Sequence, residues 1–128
     1  MSETLSTIEE IDAFLKEFKE KAKVFGISYN IEKEENLQTQ LDLELFGNKR
    51  DKYIFKLRAV DYCKGPEPND YDHDDGPVWI FGIGIRKNGK GKKIPIYIKI
   101  YISKASGTFC ISFHVAKYEL HFPYKTIL

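Results

Sequence analysis

The sequence predicts an α+β domain, an antiparallel β-sheet of three or more strands with N-terminal helices packed on one face. Three observations carry this. Ile94, Ile96, Ile98, Ile100 and Ile102 alternate with Pro95, Tyr97, Lys99, Tyr101 and Ser103, the period-two pattern of a half-buried strand. Phe109, Ile111, Phe113 and Val115 alternate in the same way against Thr108, Cys110, Ser112 and His114, and the link from Lys104 to Gly107 is short enough for a hairpin. Near the N-terminus, Ile8, Ile11, Phe14, Leu15, Phe18 and Ala22 recur at helical spacing.

Taken in order, Ser6-Thr7-Ile8-Glu9 and the overlapping Thr7 to Glu10 both read as capping boxes, so a helix starts there and stops at Gly26. Ile27 to Ile31 is a short strand or the exit of that helix, and the polar run Glu32 to Asn36 reads as a solvated loop. Leu37 to Phe46 stays open: Leu41, Leu43 and Leu45 alternate as in a strand, while Leu37, Leu41 and Leu45 share a helical face. Asn48 and Asp51 mark a second helix start, with Tyr53, Ile54 and Leu57 on its buried side over roughly 49–58. The chain is expected to leave regular structure at Gly65-Pro66 and enter an acidic loop, Glu67 to Gly76. Val78 to Ile85 is a further strand, with Trp79, Phe81, Ile83 and Ile85 on the apolar face. Gly82 and Gly84 would leave open space on the other face, and Asn88-Gly89 and Gly91 supply the turn that follows. The tail from Glu119 has no usable pattern.

Pairing Ser103 with Thr108 would set Tyr101 opposite Cys110, Lys99 opposite Ser112 and Tyr97 opposite His114, all on the polar face. A patch of Tyr, Lys, Ser and His side chains on a rigid sheet is therefore expected, with Arg86 at one edge.

At 128 residues the chain is expected to be one domain, residues 1–128. Its acidic, polar N-terminus and lack of a membrane-length apolar run point to the cytoplasm. Cys63 and Cys110 lack metal-type spacing and read as free thiols. The net charge of +1 hides an asymmetry, for residues 1–76 hold 11 Lys/Arg and 18 Asp/Glu, a net −7, whereas residues 77–128 hold 9 and 1, a net +8. A basic surface with interleaved Tyr suits a phosphate backbone and stacked bases. Lys87, Lys90, Lys92 and Lys93 instead read as solubilising a turn. The acidic loop fails a calcium-loop test, because counting from Asp70 the sixth position is Asp75 rather than Gly and the twelfth is Phe81 rather than Glu. It reads as a solvated, mobile loop, and no metal or cofactor is expected.

The order helix, D-Y-x-K turn, Trp-containing strand, Y-I-K strand, then I-S-F plus a basic residue resembles the RelE-like mRNA-cleaving toxins. It is most similar to the motility quorum-sensing regulator toxin family, MqsR. The resemblance spans about Tyr53 to Lys117 and rests on Leu57, Asp61-Tyr62-Cys63-Lys64, Val78-Trp79, Ile96-Tyr97-Ile98-Lys99 and Ile111-Ser112-Phe113-His114. It implies a RelE-like fold and a small ribonuclease that cuts mRNA without a cofactor and is held inactive by a cognate antitoxin protein. Lys64, Tyr97 and His114 occupy three of the family's working positions. Ile80 replaces its glutamine, and His114 stands where lysine is usual.

The residues agree in kind. Metal-free RNA cleavage needs a base for the ribose 2′-OH, cations for the phosphate and an acid for the leaving 5′-oxygen. His114 is the candidate base or acid, Tyr97 would orient the ribose or exchange a proton, and Lys64, Arg86 and Lys99 would hold the phosphate. Tyr101 and Ser112 complete the expected RNA-contacting face. A competing reading has the same basic, Tyr-bearing face bind nucleic acid or protein without chemistry, with His114 only a sheet histidine bonded to Tyr97.

Overall fold

The computed structural model describes residues 5–105 and 107–125. Helix α1 (Ile8–Phe25) starts at Thr7, whose hydroxyl accepts from the Glu10 amide at 3.1 Å, while the Glu10 carboxylate accepts from the Thr7 amide at 2.8 Å. Of the two overlapping boxes the second forms; Ser6 is buried instead and donates through Oγ to the Gly65 carbonyl. Gly26 ends the helix with φ 76°, a backbone conformation that costs glycine little. The predicted stripe is the buried one: Ile11, Phe14, Leu15, Phe18 and Ala22 all face the core.

Strands β1 (Ile27–Tyr29), β2 (Tyr62–Glu67), β3 (Val78–Ile85), β4 (Ile94–Ile102) and β5 (Thr108–Val115) form one sheet in the order β1-β5-β4-β3-β2. Only the β1–β5 pair is parallel. The fold is thus α+β with a largely antiparallel sheet and α1 packed on one face. Phe14 stacks on Trp79 with ring centroids 4.4 Å apart, and Phe81, Ile96, Ile98 and Ile100 complete that inner layer. Each such side chain, fully buried, contributes about 1.5–3 kcal/mol.

Several expectations are corrected. The supposed loop at Glu32 to Asn36 opens a helix, α2 (Glu34–Asp42), so helix wins in the ambiguous stretch. Its leucines are not the reason, because Leu37 and Leu41 are 53% and 51% exposed. The inward residues are Asn36 and Thr39. Strand β1 is only three residues long, and beyond it the edge of β5 would carry unpaired backbone groups. Asn36 donates to the Ile111 carbonyl and accepts from the Phe113 amide, both at 2.9 Å, and Thr39 Oγ1 accepts from the Val115 amide at 3.0 Å. Helix α2 therefore stands in for a missing strand.

Helix α3 (Lys49–Phe55) is shorter than expected and leads through a 3₁₀ turn, Ala59–Asp61, directly into β2. The Asp-Tyr-Cys-Lys segment is thus a bulged edge strand rather than a turn, with a cis Gly65–Pro66 bond and Lys64 paired with Ile80.

The β4–β5 register matches the expectation at Tyr97/His114 and Lys99/Ser112, then shifts by one. Ile100 pairs with Cys110, Tyr101 with Phe109 and Ile102 with Thr108, leaving Ile111 as the extra residue of a bulge. A one-residue shift exchanges faces. Cys110 consequently joins the inner core, and Phe109 and Ile111 turn outward to pack with Val78 and Tyr101 in a second apolar cluster.

The acidic segment is solvated along its middle, where Asp70 to Asp74 are exposed, but it is held in place by its own hydrogen bonds and by bonds to the end of β4. Asn69 donates to the Gly76 carbonyl at 2.8 Å and accepts from the amides of Tyr71 and Asp72, while Asp75 accepts from Ser103 Oγ and the Lys104 amide. Gly82 does not leave open space either: a Cβ there would lie 2.6 Å from Leu120 Cδ1, because the tail crosses the outer face at this point. Tyr124 fastens the tail by donating to the Ser6 carbonyl.

Candidate functional site

Where the tail crosses the sheet it walls a cleft of about 520 Å³ on the outer face. Four adjacent strands supply the floor: Lys64 from β2, Ile80 from β3, Tyr97 from β4 and His114 from β5. Lys33, Lys117 and His121 line the walls. Tyr97 and His114 are cross-strand partners, whereas Lys64 pairs with Ile80 in the row that continues to Lys99, so the three expected catalytic residues share the cleft with apolar Ile80 among them.

His114 is 6% exposed, and its ring lies over that of Tyr97 with centroids 5.4 Å apart at 19°. The contact is a stack, not the hydrogen bond expected of a purely structural pair. Its Nδ1 lies 2.9 Å from the Val115 carbonyl. A carbonyl only accepts, so Nδ1 carries the hydrogen and Nε2 of the neutral ring is an acceptor. The Tyr97 phenol is pushed up to about 12 by burial and by Glu67, Asp70 and Cys63 nearby. It therefore keeps its proton at neutral pH. Burial also pushes the Cys63 thiol, on the same cleft, up to about 12, far from the thiolate a nucleophile needs.

The cations differ in freedom. Lys64 lies 3.7 Å from Glu67, and Lys117 lies 3.5 Å from Glu35. Lys33 Nζ donates to Ser112 Oγ at 2.7 Å, and burial, helped by the charges of Lys99 and Lys117, lowers its pKa despite Glu35 and Asp70. Such a lysine gives up its proton more readily than a solvated one.

The expected RNA-contacting residues divide. Lys99 adjoins the cleft but reaches Asp70 at 3.4 Å, and its side chain is only 13% exposed. Ser112 is fully buried behind Lys33. Tyr101 is 1% exposed, stacked on Phe109 with centroids 5.1 Å apart, and offers no ring face to a base. Arg86 is exposed but lines a different pocket beside α3. Lys33, Lys117 and His121 escape sequence reasoning, since each lies outside any periodic run and only the folding of the tail and of the segment before α2 brings them together.

Among the described residues, no group of three or more His, Cys, Asp or Glu side chains is placed to hold a metal ion, and no helix is long and apolar enough to cross a membrane. Comparison with known protein families, with curated proteins and with solved structures finds no match to this chain.

Proposed function

We propose that this chain is a metal-independent endoribonuclease that cleaves mRNA in the outer-face cleft, acts in the cytoplasm and is restrained by a cognate antitoxin protein. The observation that carries the chemistry is His114, its acceptor nitrogen set beside a proton-holding Tyr97 in a cleft lined by Lys33, Lys64 and Lys117. The antitoxin rests on the sequence resemblance alone, and the cytoplasmic setting on the reading of the sequence given above.

In this reading His114 Nε2 takes the ribose 2′-OH proton as the 2′-oxygen bonds to phosphorus and the P–O5′ bond breaks. Lysines stabilise the charge that grows on the phosphoryl oxygens. The leaving 5′-oxygen is protonated from the cleft, where Tyr97 is held in its donor form. The products are a 2′,3′-cyclic phosphate and a 5′-hydroxyl, so no water is consumed in the cleavage step.

One observation favours a second reading, a module that binds RNA without cutting it. Ile80 puts a buried apolar side chain in the middle of the floor, and the carboxylates of Glu67 and Glu35 already hold two of the cations. Cleavage of a long single-stranded RNA in EDTA separates the two. The nuclease reading expects cleavage by the native protein and its loss in both His114→Ala and Lys64→Ala. Salt-sensitive RNA binding without cleavage would establish the binding module. Growth arrest on expression, relieved by a co-expressed protein, tests the antitoxin.

A further inference from the structure

The central cleft and the pocket beside α3 differ in how their cations are neutralised. Lys64, Lys99 and Lys117 are each ion-paired with a carboxylate. Lys49, Lys52, Lys56 and Arg86 converge on a pocket of about 250 Å³, and among the described residues none of them forms an ion pair. Lys49 and Lys52 lie on α3 and Lys56 caps its C-terminus, all at helical spacing, and Arg86, just past the end of β3, lines the same pocket. Glu44 is the one carboxylate lining the pocket, and Lys49 reaches its backbone carbonyl, at 3.3 Å, rather than its side chain. Like charges three and four residues apart on a helix repel by a few tenths of a kcal/mol, about the size of a favourable pair. Four convergent cations therefore leave a positive potential that a bound anion relieves.

We infer that this pocket is a second site, taking a phosphate-bearing ligand. A phosphoryl group offers three acceptor oxygens and more than one negative charge, which matches several convergent cations better than a lone carboxylate does. The floor is apolar, made of Leu43, Leu45 and Ile85, and Tyr53 stands beside it. A half-buried aromatic ring next to a phosphate cradle suits a nucleoside phosphate, carried by a free nucleotide or by a strand. The site is separate from the cleft. Ile80 and Ile85 point to opposite faces of the sheet, and at about 3.3 Å per residue their positions on β3 are roughly 17 Å apart. The inference stands whether or not the cleft cuts RNA.

Amide NMR of the full chain tests it, with inorganic phosphate, adenosine monophosphate and a short oligouridylate titrated in turn. Shifts in the turns and helix around residues 43–56 and 85–90 are expected with all three ligands, alongside any that the oligouridylate causes in the cleft. Lys52→Glu and Arg86→Glu, both at exposed positions, should each weaken binding about tenfold or more. Charge reversal at Lys52 or Arg86 should remove the shifts of this pocket and leave those of the cleft in place. If the oligonucleotide binds more tightly than the mononucleotide and with a steeper salt dependence, the source is a strand; equal affinity points to a free nucleotide. Absence of shifts at tens of millimolar phosphate, shifts that map only to the cleft, or binding indifferent to both charge reversals would overturn the inference.

Discussion

The outer face of the sheet divides at Ile111 into halves with opposite fates. On one side, Tyr97 and His114 lie side by side in an open cleft; on the other, Tyr101 and Phe109 lie side by side in an apolar cluster with Val78 and Ile111. The same two strands make both pairs. A single extra residue in β5 changes which side chains turn outward, from Ser112 and His114 to Phe109 and Ile111. Ring stacking between neighbouring strands therefore does not make a site. What distinguishes the halves is what surrounds the rings: the tail leaves a gap lined by ionisable groups, whereas Val78 and Ile111 close the other pair into an apolar cluster.

Substitutions in the two halves should separate chemistry from stability. The largest effect is expected for His114→Ala, which should lower RNA cleavage by about 10²–10⁴-fold, the contribution of a positioned general base, while costing less stability than truncation of a fully buried tyrosine. Its counterpart Tyr101→Ala should do the reverse. Deleting a fully buried aromatic costs roughly 3–5 kcal/mol, measurable by urea denaturation. Equal loss of stability in both variants would break the comparison.

An intermediate effect is expected where α2 supports β5 beneath the cleft. Asn36→Ala leaves the Ile111 carbonyl and the Phe113 amide without partners and should cost about 1–3 kcal/mol, with faster hydrogen exchange at Phe113. Alkaline titration sharpens the contrast differently. The phenols of Tyr97 and Tyr101 are both pushed up to about 12, so the folded state keeps protons that the unfolded state loses from about pH 10 upward. Stability should fall as pH rises from 10 to 12, and Tyr97→Phe should shallow that fall; phenolate absorbance and denaturation at each pH check it. The smallest effect belongs to Asp70→Asn. It frees Lys99 from a partner that is largely exposed, so stability should change by less than about 1 kcal/mol while RNA affinity rises.

Much of the inner face was legible in the sequence, because isoleucines at every second position and a capped, striped helix leave few alternatives. Tyr97 against His114 followed from the same alternation. The bulge did not, since Cys110 and Ile111 are both apolar enough to sit inside and the alternation alone does not choose between them. Helix α2 defeats a hydrophobic reading outright: it turns Asn36 and Thr39 inward to satisfy backbone groups of β5 and leaves Leu37 and Leu41 outside. The walls of the cleft were hidden for a related reason. Lys33, Lys117 and His121 come from connecting segments, whose placement depends on long-range contacts such as Leu120 against Gly82 rather than on any local period.

The most direct test of the cleft's role is phosphorus NMR of a short RNA incubated with the protein in EDTA. The account predicts a 2′,3′-cyclic phosphate signal that grows with the native chain and is absent with folded His114→Ala. A product ending in a 5′-phosphate, or cyclic phosphate formed equally well by His114→Ala, would contradict it.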